Sequence, residues 1–233
     1  EAGAPVDLPR NETLYFSGQQ WGTVVGYNPL SSNMNNAMAI AAAPRGSREV
    51  MFESLYMYNS LDGKLYPLLA DGDPVWAEDQ TSVTVAVNPA AKWSDGTAVT
   101  ADDMAATWAA AAAIGNATNT AYAAYIDSVE AVDGKIVINC KLTEDGAPVN
   151  PLIVKNFLSG VYVVQAAWID TLMERNGNDP AAVLNDTAND VPYSGAYGPY
   201  FSNDQLVAFV RNDNYWGQDA SMWGKLPTPK YIT

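Results

Sequence analysis

The sequence contains no histidine. Without an imidazole, a Ser-His-Asp or Cys-His catalytic set, histidine-ligated zinc and an HExxH metalloprotease site are all excluded. Cysteine is nearly as rare, because Cys140 is the only one in 233 residues and has no partner for an internal disulfide. It lies in the strand-like run K-I-V-I-N-C-K-L, so we expect a buried, inert thiol and a fold that is stabilised by packing.

Basic residues are scarce. Twelve Lys and Arg stand against 26 Asp and Glu, which gives a net charge of -14. Such a field repels nucleic acid and anionic membranes, so no nucleic-acid partner is expected. An anionic ligand would need a local arginine cluster, and the sequence shows none. A neutral or cationic ligand is easier to accommodate.

Long apolar runs are also missing. The longest nearly apolar run, residues 105–114, is shorter than the roughly 18 residues that a membrane helix needs. Residues 1–11 lack the basic start and apolar core of a secretion signal, and they are interpreted as a flexible leader left after processing or as an engineered end. Since 48% of the residues are hydrophobic, the chain can bury the core of one large domain or two modest ones.

The most informative stretch is residues 81–115, which we interpret as a strand, a turn and a capped helix. Val83, Val85 and Val87 alternate with smaller or polar residues, as in a strand with one buried face. Residues 94–96, Ser-Asp-Gly, are typical of a turn, and Trp93 before them is a predicted packing anchor.

The helix after this turn has recognisable ends. Thr100 is the predicted N-cap, with Asp102 and Asp103 in the first turn, and Gly115 closes the helix. Trp108 lies at helical spacing on the apolar face and is predicted to pack, as is Trp216. The adjacent acids could resemble the carboxylate pair of a glycosidase, but neighbouring helical residues point in different directions, so capping is the better explanation.

Other segments are assigned more coarsely. Asp-Gly pairs predict hairpin turns at 62–63 and 133–134, residues 166–176 read as an amphipathic helix, and residues 206–211 as a strand. Residues 178–192 are predicted to be a polar boundary loop. Four acids in predicted loops are of a residue type that binds calcium, but their spacing does not match a calcium loop. Solvated loops and no metal are therefore predicted for Asp71, Asp73, Asp186 and Asp190. GxGxxG, P-loop and GxSxG motifs are absent.

Five segments in order resemble the extracellular solute-binding proteins of peptide and oligosaccharide ABC importers, the family of oligopeptide-, dipeptide-, nickel- and cellobiose-binding proteins. The matching residues are M-F-E-S-L-Y-M-Y-N-S-L-D-G-K-L-Y-P-L-L-A at 51–70, A-A-K-W-S-D-G-T-A-V-T-A-D-D-M at 90–104, G-P-Y-F-S at 198–202, V-R-N-D-N-Y-W-G at 210–217 and P-T-P-K-Y-I at 227–232. Together they extend over most of residues 12–232.

The resemblance implies an α/β fold of mixed sheets, of the periplasmic-binding-protein-like type II. Family members are much longer, so the chain is expected to be the N-terminal portion, without the opposing lobe. Residues 12–45 and 190–233 would form part of the first lobe, and 46–189 an inserted domain. The resemblance also implies a monomer without cofactor that works with ABC permease subunits. Its implied location is outside the cell, at the cell surface as a lipoprotein or in the periplasm.

Candidate ligand-binding residues come from two places. Trp21 is the predicted stacking platform, with ordinary core packing as the alternative. Gln20, Asn28 and Asn33 could offer amide groups to a ligand or simply stabilise an amide-rich surface loop. Ser194 and Tyr197 are placed by the resemblance where the chain returns to the first lobe beside the cleft.

The function expected from these features is capture of a short neutral oligosaccharide, similar to a cello-oligosaccharide, by two lobes that close on it. Residues 20–30 look more like the cellobiose and β-glucan binders than the peptide binders, and an indole with amide neighbours suits a sugar. An oligopeptide- or dipeptide-binding subunit is the alternative. A carbohydrate-active enzyme is a weaker one, because no paired acid and base are apparent.

Overall fold

The structure is a computed structural model that describes residues 7–16, 24–31, 48–203 and 205–233. The helices in these residues are α1 Arg48–Met51, α2 Ala101–Ile114, α3 Ala117–Tyr122, α4 Pro151–Gly160, α5 Ala166–Arg175 and α6 Pro180–Asn185, with a 3-10 helix at Trp216–Gln218. The strands are β1 Thr13–Leu14, β2 Tyr56–Asn59, β3 Lys64–Pro67, β4 Ala70–Trp76, β5 Ser82–Val87, β6 Ile126–Val132, β7 Lys135–Cys140, β8 Tyr197–Ser202, β9 Val207–Arg211 and β10 Tyr231–Ile232. None of the described helices is long and apolar enough to cross a membrane.

An antiparallel sheet in the order β4-β5-β7-β6 forms one layer of the core. Val83 and Val85 of β5 are fully buried and pair with Ile138 and Ile136 of β7, which confirms the predicted strand with one buried face. The β6–β7 turn has positive φ at both of its central residues, 49° at Asp133 and 74° at Gly134. This geometry matches the twist of the flanking strands and confirms the hairpin.

Helix α2 packs against this sheet and has the predicted ends. Thr100 is its extended N-cap, and Gly115 terminates it in the left-handed region with φ of 64°. Trp93 and Trp108 are buried, as predicted, and Trp108 meets Phe157 of α4 edge to face with 5.7 Å between ring centroids. The helix therefore joins the sheet to α4.

Asp103 is the hydrogen-bonding centre of this unit. Its Oδ2 accepts from the backbone N–H of Thr100 at 2.8 Å and from the indole of Trp93 at 3.1 Å, while Oδ1 accepts from the N–H of Ala166 at 2.8 Å. The carboxylate thereby holds the turn, the start of α2 and the start of α5 together. Asp102 beside it is exposed, so the two acids do point in different directions.

The remaining strands form a hairpin and a second sheet. Strands β2 and β3 pair antiparallel, and the second sheet has the order β1-β10-β9-β8, with β1 parallel to β10. Its strands come from residues 13–14 and 197–232, so the chain leaves this sheet and returns to it after the β4–β7 sheet. The division into a first-lobe part, 12–45 and 190–233, and an inserted domain, 46–189, stays a prediction.

The prediction of an uninterrupted loop at 178–192 was wrong, because α6 lies within it. Asp179 caps this helix by accepting from the N–H of Ala181, and Pro180 occupies the first turn, where its missing N–H costs nothing. The sequence signal was an N-cap followed by proline, which is short but specific.

The interpretation of four acids as solvated loop residues was right only in part, because Asp71, Asp73 and Asp190 are exposed, but two of the four lie in a strand and two bind an arginine. Asp71 and Asp73 belong to β4, which is irregular between Asp71 and Val75. Asp186 binds the guanidinium of Arg175 through two contacts of 2.7 and 2.8 Å, and Asp190 binds it at 2.7 Å. Burial opposes ionisation of Asp186, but hydrogen bonds from Arg175 and Asn176 lower its pKa.

We predict that Asp103→Ala lowers the free energy of unfolding by about 3 kcal/mol or more, because it leaves three buried or partly buried donors without their acceptor. Asp102→Ala is the matched control, and it should cost less than about 1 kcal/mol, the value of an exposed charge at a helix N-terminus. Urea unfolding of both variants checks this, and equal losses would contradict the central role of Asp103.

Candidate functional site

A cavity of about 400 Å³ lies where β2, the end of α4, β8 and the segment after β9 meet. We call it the aromatic cavity, because six aromatic side chains of the described residues line it: Phe52, Tyr58, Tyr162, Tyr197, Tyr215 and Trp223. Most of its other described lining residues are apolar, among them Val50, Met57 and Leu68. Its size and lining are typical of sites that bind small molecules.

The cavity exists because residues 51–54 run between two distant parts of the chain. On one side the N–H of Gly195 donates to the carbonyl of Met51 at 2.8 Å, and on the other the N–H of Val163 donates to the carbonyl of Glu53 at 3.1 Å. A Cβ on Gly195 would lie 2.5 Å from the carbonyl oxygen of Val50, so this close approach requires glycine. Backbone hydrogen bonds thus hold two walls of the cavity together.

Glu53 forms the polar floor of the aromatic cavity and is 7% exposed. Its Oε1 accepts a short hydrogen bond from the hydroxyl of Tyr215, and its Oε2 accepts from the indole of Trp216 at 2.7 Å. The indole of Trp223 in turn donates to the hydroxyl oxygen of Tyr215 at 3.2 Å. A directional chain of hydrogen bonds therefore runs from Trp223 through Tyr215 to Glu53.

The electrostatics of this floor are unusual. Burial raises the pKa of Glu53 to about 7, and the hydrogen bonds from Tyr215 and Trp216 oppose the shift without cancelling it. Burial and the neighbouring carboxylate also raise the pKa of Tyr215, so its phenol keeps its proton near neutral pH. The ion pairs found among the described residues involve Arg175 and Arg211, and Glu53 has no such partner there.

Three of the residues predicted to bind ligand, Trp21, Gln20 and Asn33, lie outside the described residues. Asn28 is fully buried, and its amide donates to the carbonyls of Val183 at 2.8 Å and Asp186 at 3.1 Å. These bonds anchor residues 24–31 on α6. The contact of Asn28 with a ligand stays a prediction.

Of the other two predicted residues, Tyr197 lines the aromatic cavity, whereas Ser194 does not line it and instead bonds to the backbone of Glu53. Ser194 is buried and its hydroxyl oxygen accepts from the backbone N–H of Glu53 at 3.0 Å. Tyr197 lines the cavity wall, and its hydroxyl donates to the carbonyl of Pro229 at 2.8 Å. Their role in ligand binding also stays a prediction, since both side chains are engaged within the protein.

Sequence reasoning did not single out Glu53, Tyr58 or Trp223. A signal for Glu53 was present, because a lone acid in the apolar run M-F-E-S-L must be paired or hydrogen-bonded if that run is buried. Trp216 was predicted to pack and is buried, but its indole N–H also donates a hydrogen bond to the carboxylate of Glu53. Nothing in the local sequence marks Trp223 as a cavity residue.

The arrangement is suited to binding. Among the described residues that line the cavity, Glu53 is the only carboxylate, so no acid and base face each other across it. In the part of the chain that the structure describes, no group of three His, Cys, Asp or Glu residues could hold a metal ion.

Comparison with known proteins identifies one family. The model described as "Bacterial extracellular solute-binding proteins, family 5 Middle" matches residues 64–232. No curated protein sequence matches the chain.

Solved structures with the same fold are numerous. A mannohexaose-bound periplasmic oligopeptide-binding protein of an oligopeptide ABC transporter from Thermotoga maritima is 22% identical with a TM-score of 0.75, and the match covers 97% of this chain and 38% of that one. NikA from Brucella suis in complex with Fe(III)-EDTA is 20% identical with a TM-score of 0.60, and the match covers 94% of this chain and 38% of that one. OppA from Listeria monocytogenes bound to peptide is 16% identical with a TM-score of 0.61, and the match covers 96% of this chain and 42% of that one.

These likenesses confirm the predicted α/β fold class of the periplasmic-binding-protein-like type II. The chain spans less than half of the length of each of these three proteins.

We predict that the buried carboxyl of Glu53 makes stability fall as pH rises. The pKa of Glu53 is 4.5 in the unfolded chain and about 7 in the folded protein, so between these pH values only the folded protein holds the proton. The free energy of unfolding therefore falls as pH rises to about 7 and changes little above it. Relative to Glu53→Gln, the unfolding free energy of the wild type should drop by about 3 kcal/mol over this range. Urea unfolding at several pH values measures the difference. Parallel curves for the two proteins would contradict the prediction.

Proposed function

The chain belongs to the bacterial extracellular solute-binding proteins of family 5, and on that basis we propose that it forms part of the substrate-binding subunit of an ABC importer for a short neutral oligosaccharide. The ligand would resemble a cello-oligosaccharide. Two lobes would close on it, because the ligand contacts both lobes only in the closed state and so shifts the population toward it. The permease subunits would then receive the sugar from a monomeric binding protein located at the cell surface, as a lipoprotein, or in the periplasm.

The observation that carries this proposal is the aromatic cavity with its half-exposed rings. Trp223 is 50% exposed and Tyr58 is 44% exposed, so both keep ring surface available beside a cavity of about 400 Å³. Sugar rings present apolar C–H faces that stack on such rings, while their hydroxyls bond to polar groups at the edges.

The charge of the chain supports an uncharged ligand. The net charge of -14 disfavours anions, and the described residues that line the aromatic cavity include neither lysine nor arginine. A peptide carries a terminal carboxylate that needs a cationic or N–H partner, and a sugar does not.

The structural likeness is compatible with both ligand classes. The Thermotoga maritima protein of the same fold was solved with mannohexaose, whereas the Listeria monocytogenes protein was solved with a peptide. An oligopeptide- or dipeptide-binding subunit is therefore the second candidate. A carbohydrate-active enzyme has less support, because the family consists of solute-binding proteins and Glu53 is a single carboxylate.

We predict that the intact protein binds neutral oligosaccharides and not peptides. Calorimetric titration with cello- and manno-oligosaccharides of two to six units should release binding heat, while di- to pentapeptides should give none. The reverse result would replace the sugar by a peptide. Turnover of a chromogenic β-glycoside would instead establish an enzyme.

We predict that Trp21→Ala weakens oligosaccharide binding at least tenfold and changes the melting temperature little, if its indole is the stacking platform proposed from the sequence. Trp76→Ala is a suitable control, because it removes an indole from β4, outside the aromatic cavity. A large drop in melting temperature for Trp21→Ala would assign that residue to the core.

A further inference from the structure

The indole of Trp223 is held in place by the chain of hydrogen bonds that ends at Glu53. We propose that Trp223 is a ring on which the sugar stacks, and that Glu53 is a positioning residue that fixes this ring through Tyr215. The inference rests on the proposed function and extends it, because it names a stacking residue that neither the sequence motifs nor the family comparison indicates.

Trp223 differs from the other tryptophans in its exposure. Of the six that the structure describes, four are buried, Trp76 is partly buried, and Trp223 is 50% exposed while it also lines the aromatic cavity. Large aromatic rings normally bury most of their surface, so an indole held half open at the mouth of a cavity is available to a ligand.

Two contacts fix the indole of Trp223. Its backbone N–H donates to the carbonyl of Gly217 at 3.0 Å, and its indole N–H donates to the hydroxyl of Tyr215 at 3.2 Å. Because an indole has a single donor, this bond ties the N–H edge of the ring to Tyr215, while half of the side chain stays exposed. A ring ordered in advance binds with a smaller loss of side-chain entropy than a mobile one.

Tyr215 can accept from Trp223 because its own hydrogen is donated to Glu53. The second oxygen of Glu53 is occupied by the N–H of Trp216, which can only donate. The ionised carboxylate thus accepts at both oxygens, so every hydrogen bond from Trp223 through Tyr215 is donated toward Glu53. Tyr215 is itself buried, so its hydroxyl has little access to water as an alternative partner.

Protonation of Glu53 would disturb this chain. The indole of Trp216 keeps Oε2 as an acceptor, so the added proton would sit on Oε1 and face Tyr215. The Tyr215 oxygen would then face two donors, and its own hydrogen would lose its acceptor. The pKa of about 7 at Glu53 puts this change near neutral pH.

Among the described residues that line the aromatic cavity, the other titratable groups are phenols, those of Tyr58, Tyr162, Tyr197 and Tyr215. The described lining residues include no lysine or arginine and no second carboxylate. A neutral oligosaccharide does not titrate in this range either. A change of sugar affinity near pH 7 that Glu53→Gln and Tyr215→Phe both abolish would therefore report on Glu53.

The test is calorimetric titration of the intact protein with neutral cello- and manno-oligosaccharides between about pH 5.5 and pH 8.5. Trp223→Ala should lower affinity about tenfold, the value of one lost aromatic stacking contact, while Trp76→Ala should not change it. Tyr215→Phe keeps the buried ring but removes both hydrogen bonds, and it should lower affinity several-fold. In the Trp223→Ala background, Tyr215→Phe should have no further effect, because it acts through the indole.

The pH profile separates positioning from a purely structural role. Wild-type affinity should fall as pH drops below about 7, and the profile should be flat in Tyr215→Phe and in Glu53→Gln. If Glu53→Gln does not fold, Tyr215→Phe and the double variant still decide the matter.

Two results would overturn the inference while the proposed function stands. Unchanged sugar affinity in Trp223→Ala would remove the stacking role of the indole. A pH-independent wild type, or additive losses in the double variant, would remove the positioning role of Glu53. Failure of every sugar to bind would overturn the proposed function together with this inference.

Discussion

The burial of one carboxylate, that of Glu53, is the constraint on which this region of the molecule depends. An ionised carboxylate away from water is tolerated only when hydrogen bonds replace its hydration, and here Tyr215 and Trp216 supply them from the segment after β9. The backbone of the same residue bonds to Ser194 and Val163. A single position therefore links α1, the end of α4, the start of β8 and the 3-10 helix.

The parts of the fold that the sequence predicts well are those whose determinants lie close together in the chain. Strand β5, the turn at 94–96 and helix α2 follow from valine alternation, an Asp-Gly pair and the two caps Thr100 and Gly115. The hairpins at Gly63 and Gly134 are of the same kind, because positive φ at these positions is a local requirement. Family resemblance added the fold class, an α/β fold of mixed sheets of the periplasmic-binding-protein-like type II.

The candidate site could not be predicted in this way, because its parts come from distant positions. The partners of Glu53 lie 162 and 163 residues further along the chain, and the hydrogen bond between Trp223 and Tyr215 depends on that contact. Arg175 shows the same limit, since two acids that looked like solvated loop residues turn toward it. Helix α6 escaped notice because six residues give too short a periodic pattern.

Cys140 has a practical consequence for following the dynamics of this protein. Its thiol is buried at the end of β7 and donates to the carbonyl of Gln80, and burial raises its pKa. An alkylating reagent can attack it only after the end of the strand separates from its neighbours, since the thiolate is the reactive form and reagent needs access. Because Cys140 is the only cysteine in the sequence, its rate of alkylation would report how often the β4–β7 sheet opens, without an engineered label.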